Sequence, residues 1–169
     1  VDEEAGIALL VLLIFGLSKN SIFPFHTWLP KLRRVPAPVA SLAHSVTTVN
    51  MGAIALIKIV TSVFGLEFIQ HVTANFATGG FIIHIAGFTA VYTAYLAWKS
   101  KDLKERLSYS TVGQLMYIIV GILLGTPLTI MASCLHILTH SLAKTGLFFV
   151  AGYFDSFFHT TKTKEVAEL

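Results

Sequence analysis

Apolar runs near the length of a membrane span, parted by short connections, constrain this chain more than any single motif. Five can be drawn, over about residues 5–18, 36–65, 76–98, 107–125 and 129–158. A helix needs about 20 apolar residues to cross roughly 30 Å of hydrocarbon, so all but the first are long enough. The first ends in "SKNSIFPF", where Pro24 removes a helical hydrogen bond, which predicts a span broken from Lys19 to Pro24. Pro36 and Pro38 suit the first turn of the second helix. The "GTP" at 125–127 predicts a tight turn before the last. No connection is large enough for a soluble domain. The expected fold is therefore all-α, a polytopic transmembrane helix bundle of about five membrane segments, forming one membrane domain over 1–169 that is part of something longer.

Charge agrees with this reading. Only 12% of residues are charged and mean hydropathy is +0.73, against about a quarter charged in soluble domains. Of the twelve Lys and Arg, only Lys58 and Lys144 fall inside the runs. The others are Lys19, Lys31, Arg33 and Arg34, then Lys99, Lys101, Lys104 and Arg106, then Lys162 and Lys164. With five crossings all ten lie on one side, and Asp2, Glu3, Glu4 and Glu67 lie on the other. That bias puts the basic side in the cytoplasm or the mitochondrial matrix. Bases placed this way are topology determinants, so the net charge of +3 does not point to nucleic acid. The single cysteine, Cys134, can build neither a disulfide framework nor a Cys metal site within the chain. Trp28, Trp98, Tyr92 and Tyr95 are either interface anchors or interior packing.

The titratable groups inside the runs need a reason, because a charged lysine at a helix centre costs about 2.5 to 3.5 kcal/mol on insertion scales. Lys58 lies near the end of its run, where its stem can snorkel to the headgroups. Lys144 lies about 15 residues from either end of the fifth run, too deep for that. In "CLHILTHSLAKTGLFF", His136, His140 and Lys144 are four apart, so each is turned by only about 40° and raised by about 6 Å from the last. They form one stripe. Imidazole accepts a proton on one nitrogen while donating from the other, and such a ladder passes protons if waters or other side chains bridge its gaps. Two other readings stay open on spacing alone: a His-x3-His metal site and ordinary interhelical hydrogen bonding. His84 suits the packing reading. His44 is followed by Ser45, Thr47, Thr48 and Asn50, a wall that faces water or a polar neighbour rather than lipid.

Three stretches together resemble the antiporter-like subunits shared by respiratory complex I, membrane-bound hydrogenases and multisubunit cation/proton antiporters. These are "SKNSIFPFHTWLPKLRRVPAPVASLAHSVTTVNMG", "DLKERLSYSTVGQLMYIIVGI" and "HILTHSLAKTGLFFVAG", in the family's order and spacing over about 15–152. The resemblance implies a proton-translocating membrane subunit with no redox cofactor of its own, any NADH:quinone oxidoreductase chemistry belonging to partner subunits. Lys19 matches the family's lysine beside a broken helix, His44 a channel histidine, and His136, His140 and Lys144 the central relay. Lys104 matches a further lysine at a helix start, and Lys58 is kept as an accessory. The implied setting is the bacterial plasma membrane or the mitochondrial inner membrane. The implied partners are other membrane subunits, lipid and protons, with sodium as the alternative ion. Two positions depart from the pattern: Lys31 stands where many members have Asp, and Asn50 where some have lysine. Both favour the rival expectation, a structural subunit that conducts nothing. The family's helices outnumber those here, so a central portion of such a subunit is expected.

Overall fold

The computed structural model describes residues 3–17, 21–31, 35–45, 48–158 and 160–167. Its helices are α1 (Glu3–Gly16), α2 (Trp28–Lys31), α3 (Ala37–Ser45), α4 (Thr48–Ile59), α5 (Leu66–Ala74), α6 (Phe81–Lys99), α7 (Leu103–Leu123), α8 (Pro127–Phe158) and α9 (Thr163–Ala167). A 3-10 turn, Phe25–Thr27, precedes α2, and π-helical turns Val60–Phe64 and Phe76–Gly80 flank α5. Among the described residues there is no strand, only an isolated backbone bridge between Asp102 and Lys162. The chain is all-α, as the sequence predicts.

Among the described residues three stretches are long and apolar enough to cross a membrane: α3 with α4 and the turn to Phe64, then Phe76–Lys99 and Pro127–Phe158. The first run is a shorter apolar helix, and the fourth is α7, which is more polar because Lys104, Glu105 and Arg106 fill its first turn. Yet α7 is the hub of the bundle, packed between α6 and α8 and touching α2 and α4. Leu107, Val112, Leu115, Met116, Ile118, Ile119 and Ile122 are all buried along it. Small residues allow this close approach. A Cβ at Gly121 would collide with Ser133 Oγ on α8, so any larger residue there would force that hydroxyl to turn away from Ile118 O.

The break after the first run is visible in its described flanks. Helix α1 stops at Gly16, and by Phe23 the chain has left helix and donates its backbone N–H to Thr89 Oγ1 on α6, at 3.2 Å. Lys19 itself lies outside the described residues.

Helix α5 was not expected from the sequence, which treats 66–75 as a connection. It buries Ile69 and Val72 and uses its polar face as a clasp. Gln70 Nε2 donates to Gly125 O at 2.9 Å, and Thr73 Oγ1 shares its proton between Ile69 O in its own helix at 2.8 Å and Leu123 O at 3.0 Å, so Gln70 is the main tie to the α7–α8 turn. Gly125 has φ +66°, a left-handed conformation that excludes most side chains. At the other end, Leu103 N–H donates to Thr161 O and Thr163 N–H to Lys101 O, at 2.8 and 2.9 Å. The α6–α7 link and the segment after α8 therefore share one end of the bundle, while α5 and the 125–127 turn share the opposite one. This is the pairing that the charge alternation predicts.

Candidate functional site

Along α8 the buried residues are Ser133, Ile137, His140, Lys144, Phe148, Ala151 and Gly152. Steps of three and four keep them on one face, which seats on α7 and α3. The opposite face leaves Leu128, Met131, Leu135, Leu138 and Leu142 exposed, as suits lipid or another apolar helix. His140 and Lys144 thus lie in the packed seam, and His136 lies half-buried at its flank.

Lys144 is 4% exposed, and its Nζ donates to the backbone carbonyl of Leu107 on α7 at 2.9 Å. That carbonyl also accepts from Thr111 Oγ1 at 3.0 Å. No carboxylate pairs with Lys144 among the described residues. His44, on α3, is wholly buried and stacks on Phe148 of α8, ring centroids 4.6 Å apart at 17°. Its Nε2 lies 3.3 Å from Ser108 Oγ. Ser108 already donates its one proton to Lys104 O at 2.8 Å, so Nε2–H is the donor to Ser108. Nδ1 is then left as a buried acceptor without a partner among the described residues. Both Lys144 and His140 are within electrostatic reach of His44, and Lys144 and His136 are within reach of His140.

The His136 and His140 rings are nearly parallel, 9° apart in tilt and 6.2 Å apart at their centroids. Each keeps a buried Nε2 without a hydrogen-bond partner among the described residues. At that separation the rings do not bond directly, and a proton passing between them needs an intervening group. His136 also lines a cavity of about 220 Å³ with Tyr117, Thr129 and Ser133. The structure thus brings His44, His140 and Lys144 into one cluster where α3, α7 and α8 meet, with His136 at its edge.

A polar seam continues this cluster along α3, α4 and α8. Thr145 Oγ1 is 2.9 Å from Ser45 Oγ, and Asn50 Nδ2 donates to Ser45 O and Ser141 Oγ, both at 2.5 Å. Of the polar wall read after His44, Ser45 and Asn50 are turned inward, Thr47 and the Thr48 side chain lie outside what the structure describes, and Asn50 Oδ1 and Ser41 Oγ have no partner among the described residues.

Lys104 is also buried, 5% exposed, but reaches Asp155 near the end of α8, Nζ to Oδ2 at 2.6 Å. Lys58 is exposed on α4. His84 is exposed, with Nδ1 2.8 Å from Gly80 O in its own preceding turn. Among the described residues no three His, Cys, Asp or Glu side chains gather as a metal would require.

Sequence reading did not single out Asp155, Ser108 or His26. Asp155 had a signal: eleven residues after Lys144 is three helical turns, which returns it to the same face. Ser108 had a weaker one, since its place opposite His44 depends on how α3 and α7 cross. His26 is 6% exposed, stacked on Phe23 and edge-on to Tyr92, and only the fold brings it to α6.

A helical membrane protein with lysine and histidine side chains buried where its helices meet is the class these observations define. Residues 2–169 match the family described as "NADH:quinone oxidoreductase/Mrp antiporter, TM", and the chain belongs to it. The chain is 36% identical over 165 residues to a probable K(+)/H(+) antiporter protein of Rhizobium meliloti, covering 97% of this chain and 15% of that protein. It is 33% identical to "NADH-ubiquinone oxidoreductase chain 5" of Caenorhabditis elegans, covering 85% of this chain and 25% of the other. The "Structure of Mrp complex from Dietzia sp. DQ12-45-1b" superposes with a TM-score of 0.74 at 30% identity, over 89% of this chain and 16% of that one. The chain thus spans a quarter or less of the length of these relatives.

Proposed function

We propose that this chain forms part of a proton-translocating subunit, in which Lys144, His140, His44 and His136 hand protons along the interior of the bundle. One observation carries the reading. Lys144 Nζ is buried against a neutral carbonyl and is flanked by two buried histidines that each keep an unpartnered ring nitrogen. Intramembrane ionisable groups held this way mark ion paths. Imidazoles with one free nitrogen can take a proton there and release one on the other side of the ring. Lys19, which the family resemblance assigns to the same path, lies outside the described residues. Redox cofactors, if the assembly has them, sit on other subunits, and the basic connections face the cytoplasm or matrix.

The relatives named for antiport and for oxidoreductase complexes support an assembly with other membrane subunits. The moved ion is the proton, with sodium as the alternative. The test is proton flux by the assembly in proteoliposomes. Lys144→Ala is expected to lower flux by at least roughly tenfold while the assembly still forms, a rise of more than about 1.4 kcal/mol in the barrier. Unchanged flux would sink the proposal and favour the structural reading, to which the Asn50 bonds across α4 and α8 already lend support.

A further inference from the structure

We propose that the end of the bundle where α6, α7 and α9 meet binds the headgroup of an anionic phospholipid, whose acyl chains lie along the outer face of α6. A cavity of about 420 Å³ opens there, lined by Trp98, Lys99, Lys101, Arg106 and Lys162 and by no acidic side chain. Asp102 and Glu105 stand beside the lining rather than in it, with their oxygens turned to neutral donors. Asp102 Oδ1 accepts from Glu105 N–H and Oδ2 from Thr161 Oγ1, and Glu105 Oε2 accepts from Ser100 Oγ. Lys162 is paired with Glu165 at 2.8 Å. That contact holds Lys162 above the ordinary lysine range and Glu165 below the ordinary carboxylate range. Arg106 is anchored under the cavity by bonds from Nε to Ala97 O and from a terminal nitrogen to Ser100 O, at 3.2 and 3.3 Å. Lys99 and Lys101 are exposed and have no carboxylate partner among the described residues. Four bases, Lys99, Lys101, Arg106 and Lys162, against the three nearby carboxylates of Asp102, Glu105 and Glu165 leave an excess of one positive charge, where two elements tied by backbone bonds fix the cavity's shape.

The second observation is the surface that leads into it. Phe88, Val91, Tyr92, Tyr95 and Trp98 are exposed by 58, 73, 36, 52 and 78%. Their positions on a 3.6-residue helix fall within an arc about 120° wide, so they form one apolar stripe that ends at the lysines. An apolar stripe with a cationic mouth at its end matches a molecule with an anionic head and two hydrocarbon tails. A soluble phosphate would use only the mouth. Basic pockets beside membrane helices attract such lipids with about 1 kcal/mol per Lys or Arg near the surface, or roughly fivefold in affinity for each charge.

The experiment uses the membrane assembly reconstituted with brominated lipids, reading the fluorescence of Trp98 as the difference between wild type and Trp98→Phe. Brominated phosphatidylglycerol is expected to quench this signal at several-fold lower mole fraction than brominated phosphatidylcholine. In Lys99→Gln/Lys101→Gln that preference should fall by roughly 25-fold or to parity, whichever comes first. Inorganic phosphate should not relieve the quenching. Equal quenching by both lipids in wild type would overturn the proposal, as would a preference that the double substitution leaves unchanged. So would no quenching by either, because a protein helix would then cover the stripe.

Discussion

Two lysines are buried to nearly the same extent on facing helices, and the bundle treats them differently. Lys104 is 5% exposed and bonded to Asp155, whose own side chain is 48% exposed, so its charge has a counterion at the rim of the bundle. Lys144 is 4% exposed and meets a carbonyl, with histidines as its titratable neighbours. A buried charge held by a carboxylate has a fixed partner, whereas one that faces only neutral groups is the arrangement expected of a site that exchanges its proton. Burial alone therefore does not identify a relay residue. What a buried nitrogen is bonded to does.

The largest separation between the two should come from removing the charge at each. Lys144→Met should abolish most proton flux yet leave thermal stability within about 1 kcal/mol, since a similar volume replaces it and one hydrogen bond is lost. Asp155→Asn should do the reverse, costing about 2 kcal/mol of stability, as expected for a hydrogen bond to a charged group, with the smaller effect on flux. Thermal unfolding and proteoliposome flux measured on the same preparations would check both.

A smaller effect is expected at Ser108, which is bonded to Lys104 O and receives His44 Nε2–H. Ser108→Ala should cost about 1 kcal/mol and slow flux by several-fold, because His44 then loses what fixes its tautomer. If flux is untouched, His44 is packing against Phe148 rather than relaying. The exposed Lys58 marks the low end. Lys58→Gln should change stability by no more than about 0.5 kcal/mol.

The smallest effect belongs to the exposed pair Lys162 and Glu165. Glu165 titrates below its usual 4.5 because of its bonds to Lys162 and Thr160. Its contribution is therefore present above the unfolded carboxylate value and is lost as pH falls through the lower folded value. The difference in melting temperature between wild type and Glu165→Gln should be small near neutrality and vanish in acid.

Much of this was legible before the fold. The helical class, the His140–Lys144 register and the inward-facing polar wall at Ser45 and Asn50 follow from spacing, because α-helices translate sequence separation directly into a face. The grouping of the two helix ends followed from charge alternation. Less legible were features set by how helices cross. Spacing places His136 in line with His140 and Lys144, but the seam steps by three as well as four, so His136 drifts to its flank. The depth of α7 was hidden because Lys104 and Arg106 make its start look peripheral, whereas Gly121 and the small side chains around it let the rest sink between α6 and α8. Helix α5 was missed because 66–75 is too short and polar to read as a span, and its role as a clasp exists only once the turn at Gly125 is beside it.

The distinction between the two lysines is tested most directly by arginine at each. Arginine keeps the positive charge and its donors but does not release a proton in proteins. The account predicts that Lys144→Arg lowers proton flux by the assembly at least roughly tenfold, while Lys104→Arg, still paired with Asp155, keeps at least about half of it. Flux at the wild-type level in Lys144→Arg would show that Lys144 supplies only charge, and would contradict the account.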